Sequence, residues 1–258
     1  MPLYFYVLII LAGMAAGFIN VLAGNGSLIT LPILIFVGLP ANVANATNRV
    51  GVLMQNVVGT YGFYSKGKLD LRGALLLAIP MTLGSLLGAR LAVNINEAVF
   101  KQILAIVMII MLVLMFVDPS RWLEEKSREG SPQLTVARFL IFFAIGIYGG
   151  FLQAGVGIFL LSALVLGVGY NIVRANAVKV AMVLVSALVS LAIFQLNSQV
   201  DWSIGVVLGV GNMIGAWLAT RFAIDKGAVW VRRFVIVVIV VSAAQLLGVF
   251  EWVRTLIA

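Results

Sequence analysis

The stretch from Asn20 to Gly38, NVLAGNGSLITLPILIFVG, lies in a strongly apolar part of the chain, yet its Gly-Asn-Gly should interrupt a membrane helix. The apolar run that follows, 27–37, has about half of the roughly 20 residues that a membrane-spanning helix needs. Nearly the same pattern recurs at 152–169, LQAGVGIFLLSALVLGVG. Each Gly-X-Gly therefore predicts a broken helix followed by a short one.

The composition excludes an ordinary soluble domain. Of the 258 residues 63% are hydrophobic and 10% charged, and the mean hydropathy is +1.15. A soluble domain is about 45–50% apolar and about 25% charged, so most of this surface must face lipid. We assign the net charge of +8 to Lys and Arg at cytoplasmic helix ends, and expect no nucleic-acid partner. The lack of His and Cys excludes thiol chemistry and His-liganded metals, and we expect no cofactor.

Ten apolar runs, separated by charges, Pro and Gly, divide the chain into two halves. The first run has no Lys or Arg before it and no clear cleavage site, both of which a signal peptide usually shows. We therefore expect it to be a retained membrane segment. The runs are 4–22, 27–37, 43–64, 71–93 and 99–117, then 136–151, 158–168, 173–195, 202–224 and 229–250. We predict an all-α integral membrane protein with five segments in each half, one of them a short broken helix.

The two halves overlay without a gap at an offset of 131 residues. Small apolar residues match by chance in so biased a composition, whereas polar residues at one constant offset rarely do. The matches include Gly24 with Gly155, Gly26 with Gly157, Asn45 with Asn176, Asp70 with Asp201, and Arg90 with Arg221. We predict an internal repeat, 1–117 and 136–258, joined by a polar linker, 118–135, into one transport unit.

Basic loops predict that the two repeats have opposite orientations. The loop at 65–72, SKGKLDLR, carries three basic residues, whereas its counterpart at 196–202, LNSQVDW, carries none. The loop after the fourth segment of the second half is in turn the richer in Lys and Arg. Because positive loops stay cytoplasmic, we predict inverted repeats, a cytoplasmic linker and external termini.

The helix breaks predict a site for an anion. Irregular backbone inside a bilayer is tolerated where it is buried in protein or lines a wet cavity, and half-helix N-termini there favour negative charge. We expect Gly24 and Gly26 to take positive φ and approach a ligand, Ser27 to cap the new helix, and Gln153 to supply the cap in the second half. The alternative is that these glycines serve only helix packing.

The third segments place cations inside the bilayer. Asn45, Asn48 and Arg49 share a helix face in the first half, and Asn176 and Lys179 form an equivalent stripe in the second. An unpaired charge at the centre of a membrane helix costs at least about 2.5 kcal/mol, so we expect an anionic substrate as the partner of both cations. The alternative is that both side chains snorkel to the lipid headgroups.

Four other charges stand at helix ends. We expect Arg90 and Arg221 to snorkel, and Asp70 and Asp201 to be N-caps of the fourth segments. If a proton is coupled to transport, Asp70 and Asp201 are its candidate carriers; sodium is the other candidate coupling ion.

The ordered motifs resemble the TauE/SafE family of membrane proteins. The resemblance rests on GFINVLAGNGSLITLPILIFVGLPANVANATNR, its echo GGFLQAGVGIFLLSALVLGVGYNIVRANAVKV, and the fourth segments KLDLRGALLLAIPMTLGSLLGARLA and QVDWSIGVVLGVGNMIGAWLATRFA. It implies export of sulfite or organosulfonates across a prokaryotic inner membrane. The path residues it implies are Gly24, Gly26, Gly155, Gly157, Pro32, Thr47 and Arg49. The chain departs from the family pattern at Asn25, Val156, Ala163 and Val178.

The resulting hypothesis is a secondary transporter that exports a small anion by alternating access. The candidate substrate-binding residues are Gly24, Asn25, Gly26, Ser27, Asn45, Asn48, Arg49, Gln153, Gly155, Gly157, Asn176 and Lys179. The alternatives are an anion channel and an uptake carrier for a different small organic anion. The sequence is also compatible with a homo-oligomer. An enzyme is not expected, because Glu124 and Glu125, the one close carboxylate pair noted, lie in the linker.

Overall fold

The computed structural model describes residues 3–116 and 133–222, and these ranges are helical throughout apart from short connections. The α-helices in these ranges are α1 Leu3–Ala23, α2 Ser27–Phe36, α3 Ala41–Ser65, α4 Leu71–Val93, α5 Glu97–Phe116, α6 Val136–Phe151, α7 Val156–Ser162, α8 Ile172–Leu196 and α9 Trp202–Phe222. A π-helix, Ala163–Val168, continues α7. The tenth run, 229–250, and all but the last three residues of the linker lie outside the described residues.

Four of these helices, α1, α4, α8 and α9, are long and apolar enough to cross a membrane. Helix α3 has 25 residues but carries the polar stripe, which lowers its hydropathy. The short helices α2 and α7 follow the two breaks, as the sequence predicts. The prediction of an all-α membrane protein is therefore confirmed.

The backbone repeats its turns at the offset found in the sequence. Positive φ angles occur in pairs 131 residues apart: +77° at Gly24 and +75° at Gly155, +105° at Gly38 and +94° at Gly169, and +63° at Gly67 and +54° at Ser198. Ser198 is the one non-glycine with positive φ in the described ranges, and it stands where the first half has Gly67. Helices α3 and α8 are both 25 residues long.

The helices of the two halves pack reciprocally. Helix α1 lies against α9, and α6 lies against α4, so that the first helix of each half packs on the fourth helix of the other. Helix α3 contacts α9 while α8 contacts α4, and α3 and α8 also touch each other. The two halves therefore interlock over most of their length.

Glycines bring these helix pairs close together. A Cβ built on Gly88 of α4 would lie 1.9 Å from the carbonyl oxygen of Ile147 in α6, and one on Gly215 of α9 would lie 2.0 Å from that of Met14 in α1. In lipid, where apolar burial drives little helix association, such small-residue contacts allow backbones to pack directly. The opposite face of α4 exposes Leu75, Leu83 and Leu91, which suits contact with lipid.

We predict that Gly88→Ala destabilises the protein although alanine is the better helix former. The propensity gain is about 1 kcal/mol, whereas overpacking against a helix backbone costs about 1–3 kcal/mol or more. Thermal unfolding in detergent should show a lower midpoint for Gly88→Ala. Gly167→Ala is the control, because a Cβ there meets nothing within 4 Å; equal midpoints for the two variants would contradict the packing argument.

Candidate functional site

The two helix breaks touch each other. The N–H of Gly157 donates to the carbonyl oxygen of Gly24 at 3.2 Å. A Cβ on Gly24 would lie 2.2 Å from the Cα of Gly157, and one on Gly157 would lie 2.1 Å from the Cα of Gly24. Glycine is therefore required at both positions by direct backbone contact between the halves.

The predicted caps of the short helices are wrong. Gly26 occupies the N-cap of α2 with a φ of −57°, so only Gly24 of this pair takes positive φ. No side chain caps α2. The hydroxyl of Ser27 instead accepts a hydrogen bond from Nδ2 of Asn48 at 3.0 Å, because α3 crosses the break and offers a donor there. Asn48 also accepts from the hydroxyl of Thr30 at 2.6 Å and so ties α3 to α2.

Gln153 has a different partner as well. The N-cap of α7 is Gly155, which has no side-chain cap. The Gln153 oxygen Oε1 accepts from Nη1 of Arg49 at 3.0 Å, since α3 of the first half lies against the second break. Gln153 thus contacts a cation across the two halves rather than the end of its own helix.

Arg49 is buried, with 1% of its surface exposed. Its Nη1 donates to the carbonyl of Gly149, to Oε1 of Gln153 and to the hydroxyl of Ser190, each at 3.0 Å, and its Nη2 donates to the carbonyl of Gly150 at 2.6 Å. Gly149 and Gly150 lie in the last turn of α6. Arg49 therefore does not snorkel, and its guanidinium group binds the C-terminal carbonyls of a helix from the other half.

Lys179 mirrors this arrangement. Only 2% of its surface is exposed, and its Nζ donates to the carbonyls of Asn20 and Val21 at 3.0 and 3.2 Å and to Oδ1 of Asn176 at 2.8 Å. Asn20 and Val21 lie in the last turn of α1. Each half thus sends one cation from its third segment to the C-terminal carbonyls of the first helix of the other half.

The charges of Arg49 and Lys179 are compensated by dipoles. A helix C-terminus carries roughly half a negative charge, which stabilises a nearby cation. The carboxylates of the described ranges have other partners: Glu97 pairs with Lys101, while Asp70 and Asp201 accept hydrogen bonds at the starts of α4 and α9. Both buried cations therefore lack a full counter-charge in the part of the chain that the structure describes.

A small cavity lies where these groups meet. Its volume is about 10 Å³, and its lining consists of Asn20, Gly24, Asn56, Gln153, Gly157, Lys179 and Val183. A cavity of this size has room for about one water molecule. The site is therefore closed in this conformation.

The other predicted site residues do not line this cavity. Asn45 donates to the carbonyl of Phe151 at 3.0 Å, and the side-chain oxygens of Asn45 and Asn25 are buried without a hydrogen-bond partner in the described ranges. The sequence did not reveal the role of the carbonyls of Asn20, Val21, Gly149 and Gly150. A backbone carbonyl cannot be recognised from the type of its residue. Its position in the last turn before a helix break is the signal that could have identified it.

Asp70 and Asp201 are N-caps, as predicted. Asp201 accepts from the N–H of Ile204 at 3.0 Å, and its own N–H donates to the hydroxyl of Thr47 at 2.9 Å. Asp70 accepts from the N–H of Gly73 at 2.9 Å and from the hydroxyl of Tyr170 at 2.6 Å. Neither carboxylate lines the cavity.

The net pKa of Asp70 lies below its ordinary value. Desolvation raises the pKa, but the hydrogen bonds from Tyr170 and Gly73 and the positive charges of Arg174 and Arg72 together outweigh it. The carboxylate therefore stabilises the contact between the α4 start and Tyr170 of the second half at neutral pH.

Comparison with known proteins identifies the family. The family model described as "Sulfite exporter TauE/SafE" matches residues 9–246. The chain belongs to the TauE/SafE family. Among similar TauE/SafE-type sequences, "Probable membrane transporter protein YfcA" of Escherichia coli (strain K12) is 32% identical over 249 residues, covering 95% of this chain and 90% of that protein. "Probable membrane transporter protein" of Haemophilus influenzae is 29% identical over 240 residues, covering 93% of each. No solved structure matches the chain significantly.

Membership of the TauE/SafE family and the apolar helices together make this a multi-pass membrane protein of a transporter family. The relatives are described as membrane transporters, which agrees with the expectation that the chain is not an enzyme.

We predict that Tyr170→Phe lowers the thermal midpoint at neutral pH, because it removes the hydroxyl that stabilises the Asp70 carboxylate. Since the pKa of Asp70 is depressed in the folded state, this stabilisation is present above the unfolded pKa of about 4 and is lost as the pH falls through the folded pKa. The deficit of Tyr170→Phe should shrink on acidification. Tyr61→Phe, at a site 73% exposed, is the control; a deficit independent of pH would contradict the assignment.

Proposed function

We propose that this TauE/SafE protein is a secondary transporter that exports a small oxyanion, sulfite or an organosulfonate, across a prokaryotic inner membrane. The observation that carries the proposal is the pair of buried cations, Arg49 and Lys179, beside the cavity where two helix breaks meet. In the described ranges both cations are compensated by carbonyl dipoles, and Arg49 also by the ring of Phe194, whose centroid lies 4.7 Å from its Cζ atom. A bound anion would give both cations a partner with a full negative charge.

The geometry supports binding between the halves. Lys179 and Gln153 line the cavity, and Arg49 is one hydrogen bond away through Gln153. When the cavity opens, the ammonium exchanges a carbonyl for an anionic oxygen. The bonds from the ammonium to the carbonyls have one ionised partner, whereas a bond to the anion adds the attraction between two full charges, so the exchange favours the anion.

The lining supports a small and polar substrate. Apart from Gly24 and Gly157, Val183 is the one apolar residue that lines the cavity. An oxyanion of a few atoms with several acceptor oxygens suits amide and ammonium donors. This agrees with the sulfite named in the family description, whereas an anion with a long apolar tail would find little complementary surface.

A closed cavity supports a carrier rather than an open pore. We propose that the two interlocked halves are inverted repeats that rock against each other at the α1–α9 and α4–α6 contacts to expose the site to each side in turn. The exposed basic loop at 66–72, set against a counterpart without Lys or Arg, supports this inversion. The glycine contacts support such sliding because several of them place backbone directly against backbone.

We predict that Arg49→Ala combined with Lys179→Ala lowers sulfite flux in proteoliposomes by at least about tenfold, the effect of losing about 1.4 kcal/mol of binding. Arg90→Ala is the matched control, since Arg90 is an exposed cation at a helix end. Arg49 also holds α3 to α6, so its loss could impair folding. The variant Arg49→Lys is therefore measured alongside the double variant, and we expect it to fold and to show reduced flux. Wild-type flux in a folded double variant would refute the binding role.

A carrier should also show counterflow. We expect unlabelled sulfite inside the vesicles to accelerate entry of labelled sulfite, because a loaded site reorients in both directions. The same assay should saturate with concentration. Linear, non-saturating currents without counterflow would establish a channel instead.

A further inference from the structure

Lys179 occupies a pocket that satisfies its amine in either protonation state. The ammonium has three N–H donors and three acceptors, the carbonyls of Asn20 and Val21 and the side-chain oxygen of Asn176. A neutral amine has two N–H groups and one lone pair. The two carbonyls accept the N–H groups, and rotation of the Asn176 amide turns its NH₂ group toward the lone pair. No hydrogen bond is lost when the proton leaves.

The charged groups around Lys179 do not supply a counterion. The charged side chains on α8 and on the helices packed against it are Arg49, Arg72, Arg90, Arg138 and Arg174, with Asp70 at the start of α4; the titratable tyrosines there are Tyr4, Tyr6, Tyr61, Tyr64, Tyr148 and Tyr170. Among these described groups, Arg49 is the one bonded to the cavity lining, through Gln153. Lys179 thus lines a cavity of about 10 Å³ in which another lining residue, Gln153, is bonded to a second positive charge.

The two cations differ in chemistry. A guanidinium stays charged in proteins, whereas a buried lysine amine can exchange its proton. Arg49 is therefore the permanent charge of the site and Lys179 the switchable one. Asp70 and Asp201 are held at helix starts, where their oxygens cap backbone N–H groups and do not reach the cavity.

We infer that Lys179 carries the coupling proton, so that each monovalent anion crosses the membrane together with one proton on the Lys179 amine. This inference rests on the proposed transport function. In the loaded state the anion neutralises the ammonium. After the anion leaves, the ammonium releases its proton to water on the same side and the carrier returns with a neutral amine. One negative charge and one proton move per cycle, and no other bond forms or breaks.

The coupling follows from reciprocal binding. An anion in the cavity stabilises the protonated amine, and the protonated amine strengthens anion binding by the same factor. Without the anion, the ammonium of Lys179 in the cavity and the guanidinium of Arg49 behind Gln153 repel each other, and loss of the Lys179 proton relieves the repulsion. The empty carrier therefore gives up the Lys179 proton more readily than the loaded carrier does.

The experiment follows proton movement in sodium-free proteoliposomes that contain a pH-sensitive dye. Isethionate is the probe, because its sulfonate stays ionised and only the protein can bring a proton. An inward isethionate gradient should acidify the wild-type lumen. Lys179→Arg keeps the charge but cannot release the proton, so the ratio of lumen acidification to isethionate counterflow should fall by roughly tenfold or more, whatever the change in counterflow itself. Lys68→Arg, an exposed lysine, is the matched control.

Each outcome separates the two proposals. Absence of isethionate counterflow in the wild type would overturn both the sulfonate transport function and this inference. Counterflow without acidification in the wild type, or full acidification by Lys179→Arg, would overturn the inference and leave transport intact. If Lys179→Arg loses both signals, the Asp70→Asn, Asp201→Asn double variant decides: retained acidification supports Lys179, and lost acidification with intact counterflow returns the role to the two caps.

Discussion

The structure depends on placing two positive charges inside an apolar medium without a carboxylate beside them in the described ranges. Arg49 and Lys179 meet this constraint by donating to the last carbonyls of α6 and α1. Burial of an ion costs a large free energy unless its donors find acceptors, and the bilayer offers none; Nε of Arg49 is the one donor of the two cations without a hydrogen-bond partner in the described ranges. Each cation therefore needs a helix that ends in the middle of the protein.

The glycine breaks provide those ends. A helix leaves its last carbonyls without intrahelical partners, and these oxygens carry the negative end of the helix dipole. Gly24 and Gly155 turn the chain with positive φ directly after α1 and soon after α6, so the carbonyls of the preceding turns become available to the opposite half. The break, the buried cation and the contact between the halves are thus one arrangement, present twice.

Dipolar compensation also explains how the same contacts serve a transporter. Carbonyl oxygens carry partial charges; under the proposed function they hold the cation in the closed site and are exchanged for an anion that brings a full charge. A carboxylate in their place would neutralise the cation permanently and exclude the substrate. Under that proposal, the contacts that stabilise the closed state are exchanged during transport.

The sequence alone was sufficient to assign the lipid environment, the break positions and the buried cations, because composition, glycine spacing and helical periodicity are properties of the chain itself. It also located the repeat, whose offset recurs in the backbone turns. It could not assign hydrogen-bond partners. Ser27 bonds a residue 21 positions away and Gln153 one 104 positions away, so the caps predicted for the two short helices were wrong. Only the tertiary structure decided that each cation meets the helix end of the other half, because such pairing depends on distance through space, which residue type and spacing do not encode.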